Sequence, residues 1–174
     1  MAKLKKFAAY RKLERPYTRF SKFREKSFVR AKPNSKVVRY ETGNTNKKFQ
    51  CTLELISKND TQIRHNAIEA ARVSSGKVLE KQLGKTGFHI KIRMYPHHIL
   101  RENPLAAGAG ADRMSTGMSR SFGKPIGVAA RVRKGQTLVT LRIDKQNLDL
   151  GRTSLDRFRH KMPCSCAVVI TENK

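Results

Sequence analysis

The 174-residue sequence has few acidic side chains and no tryptophan. Its 13 Asp and Glu residues stand against 38 Lys and Arg residues, which gives a formal net charge of +25 at pH 7. So few carboxylates argue against a metal-dependent nuclease, which needs clustered carboxylates to hold its ions. An excess of one charge opposes compaction unless a polyanion neutralises it, and nucleic acid is the usual partner of so basic a chain.

Cysteines and long apolar runs are also scarce. Cys51, Cys164 and Cys166 are an odd number, and no two of them are separated by two residues. This pattern argues against a disulfide framework or a zinc site, and it predicts that the protein is located in a reducing cytoplasm. No apolar run is long enough for a signal peptide or a membrane span. A membrane surface would require a basic amphipathic helix or a lipidation signal, and the sequence shows neither, so we expect no membrane partner.

Motifs that bind nucleotides or carry catalysis are absent from the sequence. Five residues separate Gly117 from Gly123, and Pro125 follows the lysine, whereas a phosphate-binding loop needs four residues and a hydroxyl. Adjacent His97 and His98 point to opposite sides of an extended chain and do not chelate one ion. Because no nucleophile, base and orienting group stand together, we predict no enzyme, no cofactor and no metal site. An RNA-processing nuclease and a DNA compactor remain the alternatives.

The N-terminal region combines cations with aromatic rings. Residues 1–40 contain fourteen Lys and Arg, two acids and seven aromatic residues. Disordered tails are usually poor in aromatics, whereas rings and guanidinium groups stack on bases while lysines meet phosphates. We therefore predict that residues 1–36 form a basic RNA-binding arm. Its candidate contact residues are Lys3, Lys5, Lys6, Arg11, Lys12, Arg15, Arg19, Lys22, Arg24 and Arg30.

Residues 37–174 are predicted to form an α/β core. Apolar and polar residues alternate at Phe49–Leu55 and Phe88–Met94, which predicts strands, and a shorter strand is expected at Val37–Tyr40. Cys51 would point into the core. The outward face of the Phe88–Met94 strand is basic, as an RNA-binding sheet would be, although a solvated face would look similar. Its candidate contact residues are Lys91 and Arg93.

A helix is predicted over residues 61–82, with Asn59 or Asp60 as its cap. His65 lies off the apolar face and is expected to contact solvent or RNA. The residues expected to face inward are Ile63, Ala67, Ala70, Ala71 and Val78.

The C-terminal third is predicted to contain a hairpin, a helix and a buried strand. The hairpin joins residues 127–133 and 136–143 through the turn Lys134-Gly135. The helix covers residues 147–161, with Leu148, Leu155 and Phe158 inward. The apolar run Cys166–Ile170 predicts a strand buried on both faces.

The segment from about residue 97 to 127 has no clear helix or strand period. Loops of about thirty residues are usually functional or disordered. Small residues dominate this one, yet cations are spaced along it, which favours a protruding cationic loop inserted into a polyanion over a floppy insertion. These cations are Arg101, Arg113, Arg120 and Lys124.

Several motifs of the chain resemble one known family. They are Gly87-Phe88-His89-Ile90, Pro96-x-His98-Ile99-Leu100-Arg101, and the run from Gly110-Ala111-Asp112-Arg113-Met114 through Phe122-Gly123-Lys124-Pro125 to Ala130-Arg131-Val132. Together they resemble the universal large-subunit ribosomal protein family called L-sixteen in bacteria and L-ten-e in archaea and eukaryotes. The basic N-terminal region resembles the archaeal and eukaryotic branch, and the end at Lys174, without the eukaryotic extension, favours an archaeal-type member.

The resemblance implies a hammerhead-type α/β (α+β) fold: a mainly antiparallel sheet, two helices, a basic arm and a protruding loop. It also implies a structural, non-enzymatic role in the cytoplasm, in the large ribosomal subunit. The chain would bind large-subunit rRNA near the aminoacyl-tRNA corridor and support tRNA positioning and late subunit maturation. The implied partners are large-subunit rRNA, tRNA at the aminoacyl and peptidyl sites, neighbouring ribosomal proteins, and assembly and elongation factors.

The resemblance also assigns candidate residues in the loop region. The rRNA contacts would comprise the arm cations, Lys91 and Arg93, together with His98, Arg120 and Lys124. The family's loop points toward the peptidyl-transferase centre. The matching tRNA-proximal residues here are Arg101, Glu102, Ala107, Gly108, Gly110, Asp112, Arg113 and Met114.

Overall fold

The structure is a computed structural model that describes residues 6–13, 15–18, 22–27, 29, 31–103 and 123–173. Within this part of the chain, eight β-strands and two α-helices form an α+β fold, which confirms the predicted class. In chain order the elements are β1 (Glu41–Gly43), β2 (Cys51–Ser57), β3 (Thr61–Arg64), α1 (His65–Leu83), β4 (His89–Ile92), β5 (His98–Glu102), β6 (Lys124–Val132), β7 (Thr137–Ile143), α2 (Leu148–Arg159) and β8 (Cys166–Glu172).

The strands form two sheets. A five-stranded sheet has the order β1-β4-β7-β2-β8, and a three-stranded sheet has the order β3-β6-β5. Every strand pair in the described residues is antiparallel. The second sheet carries β5 and β6, the two strands on either side of the long segment that the sequence analysis singled out.

The main hydrophobic core contains residues of the five-stranded sheet, of both helices, and of β3 and β6 from the second sheet. Cys51 is fully buried, as predicted, and so are Leu155 and Phe158 of α2. At Gly151 the helix comes close to the sheet, because a Cβ built there would lie 3.3 Å from Cδ2 of Leu53. A glycine that looks like a weak point in the helix is therefore the residue that allows close packing.

The predicted start of the first helix was wrong, and its predicted inward face was partly right, since Ala71 is fully buried and Ala67 packs against the core. Thr61–Arg64 form β3, because they pair with Ala129–Val132 of β6, and the helix begins only at His65. Ala70 is exposed, whereas the buried apolar residues of the helix include Ile68 and Leu79. His65 is buried instead of exposed, and its Nδ1 accepts a hydrogen bond from the backbone N–H of Lys36 at 3.1 Å. Burial also lowers the pKa of His65.

The predicted hairpin was half right. Its turn is present, with Gln136 N–H donating to the Arg133 carbonyl at 3.1 Å and Gly135 at a φ of 82°. A positive φ of this size suits glycine, which lacks the Cβ that would clash. The flanking strands do not pair with each other, however: β6 pairs with β3 and β5, and β7 pairs with β2 and β4. The turn therefore links the two sheets.

Two further strand predictions differ from the structure. The strand expected at Val37–Tyr40 begins at Glu41, although Val37 is buried in the main core. The strand expected to be buried on both faces, β8, lies at the edge of its sheet, and Val169 is 43% exposed. A run of apolar residues therefore did not indicate a central strand here.

Candidate nucleic-acid interface

The long segment has a two-stranded stem. His98–Glu102 form β5, which pairs with β6, and the last pair of this ladder joins Glu102 to Lys124. The expectation of a segment without strands from 97 to 127 was therefore wrong at both ends. Residues 103–123 connect two positions that face each other across an antiparallel pair. The segment thus begins and ends at one place on the three-stranded sheet.

The described residues of the arm pack against this stem. Val29 is 1% exposed and forms an apolar cluster with Ile99 and Val128, and the partly buried Tyr17 packs against that cluster. Ile99 N–H also donates a hydrogen bond to the Tyr17 carbonyl at 3.1 Å. Burial of these side chains stabilises the contact through the hydrophobic effect. The arm and the stem therefore pack directly against each other.

Polar contacts connect the same two parts of the molecule. The Tyr10 hydroxyl donates to Oε2 of Glu102 at 3.1 Å. The Arg101 guanidinium lies over the Tyr17 ring, 3.9 Å from its centroid. Gln62 of β3 donates from its Nε2 to the Lys12 carbonyl. Arm residues therefore contact β3 and both residues at the end of β5.

Most of the described candidate rRNA contacts are exposed cations. The exposed ones are Lys6, Arg11, Lys12, Arg15, Lys22, Arg24, Arg93 and Lys124. Lys91 is half-buried, and its Nζ lies 2.5 Å from Oε1 of Glu41, so its charge is already paired. The candidates Lys3, Lys5, Arg19, Arg30 and Arg120 lie outside the described residues.

His98 is buried, unlike the other rRNA-contact candidates. It is 5% exposed, and it borders a cavity of about 40 Å³ together with Tyr10 and Arg101. Burial, followed by the positive charges of Arg131 and Arg101, lowers the pKa of His98 to about 4. The imidazole is therefore neutral at physiological pH. Its predicted rRNA contact stays a prediction that this burial does not favour.

Two of the tRNA-proximal candidates are in the described part of the chain. Arg101 is half-buried against Tyr17, and Glu102 is 9% exposed against Tyr10. Both side chains therefore contact the arm at the base of the loop. The candidates Ala107, Gly108, Gly110, Asp112, Arg113 and Met114 lie outside the described residues.

The arm tyrosines that hold the stem were missed by sequence reasoning. Six residues separate Tyr10 from Tyr17, and both belong to a row of arm aromatics without a clean period. Their composition predicts base stacking for the rings as a group, and nothing local identifies a partner some ninety residues away. The available signal was that aromatics are unusual in a polar tail.

The described residues contain no metal-binding cluster and no disulfide. No group of three or more His, Cys, Asp or Glu residues among them is placed to hold a metal ion. Cys164 and Cys166 have their sulfur atoms 3.6 Å apart, and the hydrogen bond from the Cys166 thiol lowers the pKa of Cys164 to about 7. Neither forms a disulfide. No helix in the described ranges has the length and apolarity to cross a bilayer.

Comparison with known proteins gives one consistent match. A family model described as "Ribosomal protein L16p/L10e" matches residues 14–169. A large ribosomal subunit protein uL16 from Methanococcus maripaludis is 45% identical over 166 residues, covering 95% of this chain and 92% of that protein. The uL16 of Archaeoglobus fulgidus is 39% identical over 161 residues, covering 92% and 89%. That of Methanoculleus marisnigri is 41% identical over 161 residues, covering 92% and 91%.

Proposed function

Because the chain belongs to the ribosomal protein L16p/L10e family, as an archaeal-type member, we propose that it binds large-subunit rRNA near the aminoacyl-tRNA corridor. The family consists of structural ribosomal proteins, and the chain is accordingly a constituent of the large ribosomal subunit and not an enzyme. In the proposal its long loop extends toward the peptidyl-site tRNA. It thereby supports tRNA positioning and late subunit maturation.

The observation that carries the proposal is the packing of the arm on the base of the loop. Tyr10 contacts Glu102 and Tyr17 contacts Arg101, at the position where residues 103–123 leave the sheet. Fixing the arm on rRNA would therefore also fix the stem. A protein that must place a loop among RNA strands needs such a rigid base, because a site on a rigid support is held more precisely.

The exposed cations supply the affinity in this proposal. Exposed Lys and Arg side chains gain binding energy by releasing counterions from phosphates, whatever the local sequence. If ten cations met phosphates, the logarithm of the binding constant would fall with the logarithm of salt concentration at a slope of about −7 to −9. Selectivity for one rRNA site would come from shape and from arginine or aromatic groups stacked on unpaired bases.

A crosslinking experiment in assembled subunits tests the position of the loop. A benzophenone side chain would replace Asn103, the first residue beyond β5, or Val73 of α1, which is 37% exposed and serves as the control. Large subunits carrying the tagged chain would be purified on sucrose gradients, loaded with peptidyl-site tRNA and irradiated. We expect rRNA or tRNA crosslinks from position 103 that map near the peptidyl-transferase centre. Crosslinks confined to remote rRNA, or a chain that sediments apart from large subunits, would refute the proposal.

A further inference from the structure

The connection between β4 and β5 presents two rings and a cation on one side. In the extended segment from Arg93 to His97, Met94 and Pro96 are buried, whereas Arg93, Tyr95 and His97 are exposed. Side chains that alternate in this way point to opposite sides of the backbone. Tyr95, at 44% exposure, is thus held at the surface by a buried neighbour on each side.

These surface rings continue a stack that begins in the core. The Tyr40 and Tyr95 rings are stacked with centroids 5.2 Å apart and an angle of 26° between their planes. The His97 ring follows, with its centroid 4.4 Å from that of Tyr95 and its plane tilted by 45° to that ring. Tyr40 packs against the main hydrophobic core, and its carbonyl accepts a hydrogen bond from Ile92 N–H at 2.8 Å. The stack is therefore fixed at its inner end and exposed at its outer end.

Two cations lie near the exposed end of the stack. The Lys32 ammonium lies 5.6 Å from the centroid of the Tyr95 ring, and Arg93 is exposed two residues before Tyr95. Burial raises the pKa of Tyr40, and the negative charge of Glu69 contributes to this rise. Glu69 itself forms an ion pair with Arg72. An exposed aromatic surface next to cations has the composition of sites that bind single-stranded nucleic acid, where rings stack on bases and cations meet the backbone.

We propose that Tyr40, Tyr95 and His97 form a stacking site for one unpaired RNA base. The base extends the row of rings at Tyr95 and His97, and Lys32 or Arg93 contacts the phosphate of that nucleotide. The proposal rests on the proposed function only for the source of the RNA, which would be large-subunit rRNA. It assigns an RNA-binding role to Tyr40, Tyr95, His97 and Lys32, none of which is among the candidate rRNA or tRNA contacts. By the usual contribution of base–aromatic stacking, removal of the Tyr95 ring would weaken binding of single-stranded RNA about 5- to 150-fold.

The absence of tryptophan from the chain allows a direct optical test. His97→Trp would place the only tryptophan at the outer end of the stack, and Val73→Trp would place it on α1 as a control. The full-length proteins would be titrated with single-stranded oligoadenylate and with an RNA duplex of equal phosphate number. We expect oligoadenylate to quench the fluorescence of the His97→Trp protein strongly, the duplex to quench it weakly, and the Val73→Trp signal to stay unchanged. Equal quenching by both RNAs, or none by oligoadenylate, would overturn the proposal.

Substitutions at Tyr95 separate stacking from charge. Tyr95→Ala should weaken oligoadenylate binding at least fivefold while duplex binding stays as in the wild type and the melting temperature falls by only a few degrees, since an aromatic pair contributes about 0.5–1.5 kcal/mol. Tyr95→Phe should bind normally. Unchanged oligoadenylate binding by Tyr95→Ala would also count against the site. If the wild-type chain sediments with large subunits but shows no stacking, only the stacking site is wrong. If it stacks on oligoadenylate but sediments apart from large subunits, only the ribosomal role is wrong.

Discussion

The guanidinium carbon of Arg101 lies 3.9 Å from the centroid of the Tyr17 ring. This contact joins a residue of the N-terminal arm to the strand from which the long loop departs. A guanidinium over an aromatic ring contributes about 0.5–2 kcal/mol, more where water is excluded. The Tyr17 carbonyl also accepts a hydrogen bond from Ile99 N–H. The two contacts together fix the position of the arm against the stem.

Arg101→Ser should therefore loosen the arm without unfolding the core. Loss of the ring contact would lower the free energy of unfolding by about 1 kcal/mol, which corresponds to roughly 2–4 °C in melting temperature for a chain of this size. Under the proposed function, the same change would impair subunit maturation or peptidyl-tRNA handling. Circular dichroism melting and sucrose-gradient profiles of ribosomal subunits would measure the two effects.

The matched control for this change is Arg133→Ser, which removes an exposed cation at the turn between β6 and β7. It should leave both the melting temperature and the subunit profiles unaltered, because surface substitutions away from specific contacts usually have small effects. Arg101→Ser with wild-type melting would show that the Tyr17 contact contributes nothing to stability. Wild-type subunit profiles would argue against a role for Arg101 in maturation.

Tyr10→Phe tests the second link between arm and stem. It deletes the hydroxyl that donates to the buried Glu102 carboxylate at 3.1 Å. A hydrogen bond to such a group contributes about 1–3 kcal/mol, so the free energy of unfolding in urea should fall by that amount. In a double-mutant cycle with Glu102→Ala, which removes the acceptor, the two changes should not be additive. Strict additivity would mean that the two side chains do not interact.

The sequence was a good guide to strands in which apolar and polar residues alternate. Phe88, Ile90 and Ile92 are buried as that pattern predicted. It failed at Thr61–Arg64, where a capping residue and a helical spacing suggested a helix. These four residues pair with β6, some seventy residues later in the chain, and such long-range pairing leaves no local signal.

The site was predictable in composition but not in arrangement. Net charge and interleaved aromatics identified the arm as a candidate RNA-binding region, and eight of the candidate cations are exposed. Which arm residues pack inward could not be predicted locally, because strands far away in sequence bury Val29 and partly bury Tyr17. His98 shows the same limitation: its neighbours bury a side chain that the motif alone placed at the RNA interface.

His98 should make the stability of the protein depend on pH. An unfolded histidine titrates near pH 6.5, whereas burial keeps folded His98 neutral down to about pH 4. Between these values the unfolded chain binds more protons, so stability is full above pH 6.5 and falls as the pH drops toward 4. After a discount for solvent near the ring, the shift corresponds to roughly 1–2 kcal/mol.

Comparing His98→Asn with the wild type would isolate this contribution. The pKa values of His65 and His89 are also lowered by burial, so some pH dependence should remain in the variant. We expect urea unfolding of His98→Asn between pH 7 and 4.5 to show a shallower loss of stability than the wild type. The exposed His160→Asn variant should follow the wild-type curve. Parallel curves for His98→Asn and wild type would show that His98 titrates normally.

Two helical glycines should respond to substitution in opposite directions. A Cβ at Gly76 of α1 would meet no atom within 4 Å, so Gly76→Ala should stabilise the protein by about 0.5–1 kcal/mol through helix propensity. At Gly151 of α2 a Cβ would already lie 3.3 Å from Leu53, so Gly151→Val should overpack the interface with the sheet and destabilise by about 1–3 kcal/mol. Thermal melting would show both shifts, and a stable Gly151→Val protein would mean that α2 can move away from the sheet.

Neutralising three exposed arm cations should weaken RNA binding without affecting the fold. Arg11, Lys12 and Arg15 are exposed, so changing all three to glutamine leaves Tyr10 and Tyr17 in place. Each phosphate contact contributes about 0.7–0.9 to the salt slope, so the slope for large-subunit rRNA should shrink by about 2–3 if all three meet phosphates. Filter binding at 50–400 mM salt would measure this slope, roughly the range over which counterion effects are resolved.

The matched control is the triple change of Lys77, Lys81 and Lys85, which are exposed on and just after α1. It removes the same charge and should alter the slope much less. Equal slopes for the two triple variants would mean that net charge, and not the arm surface, determines binding.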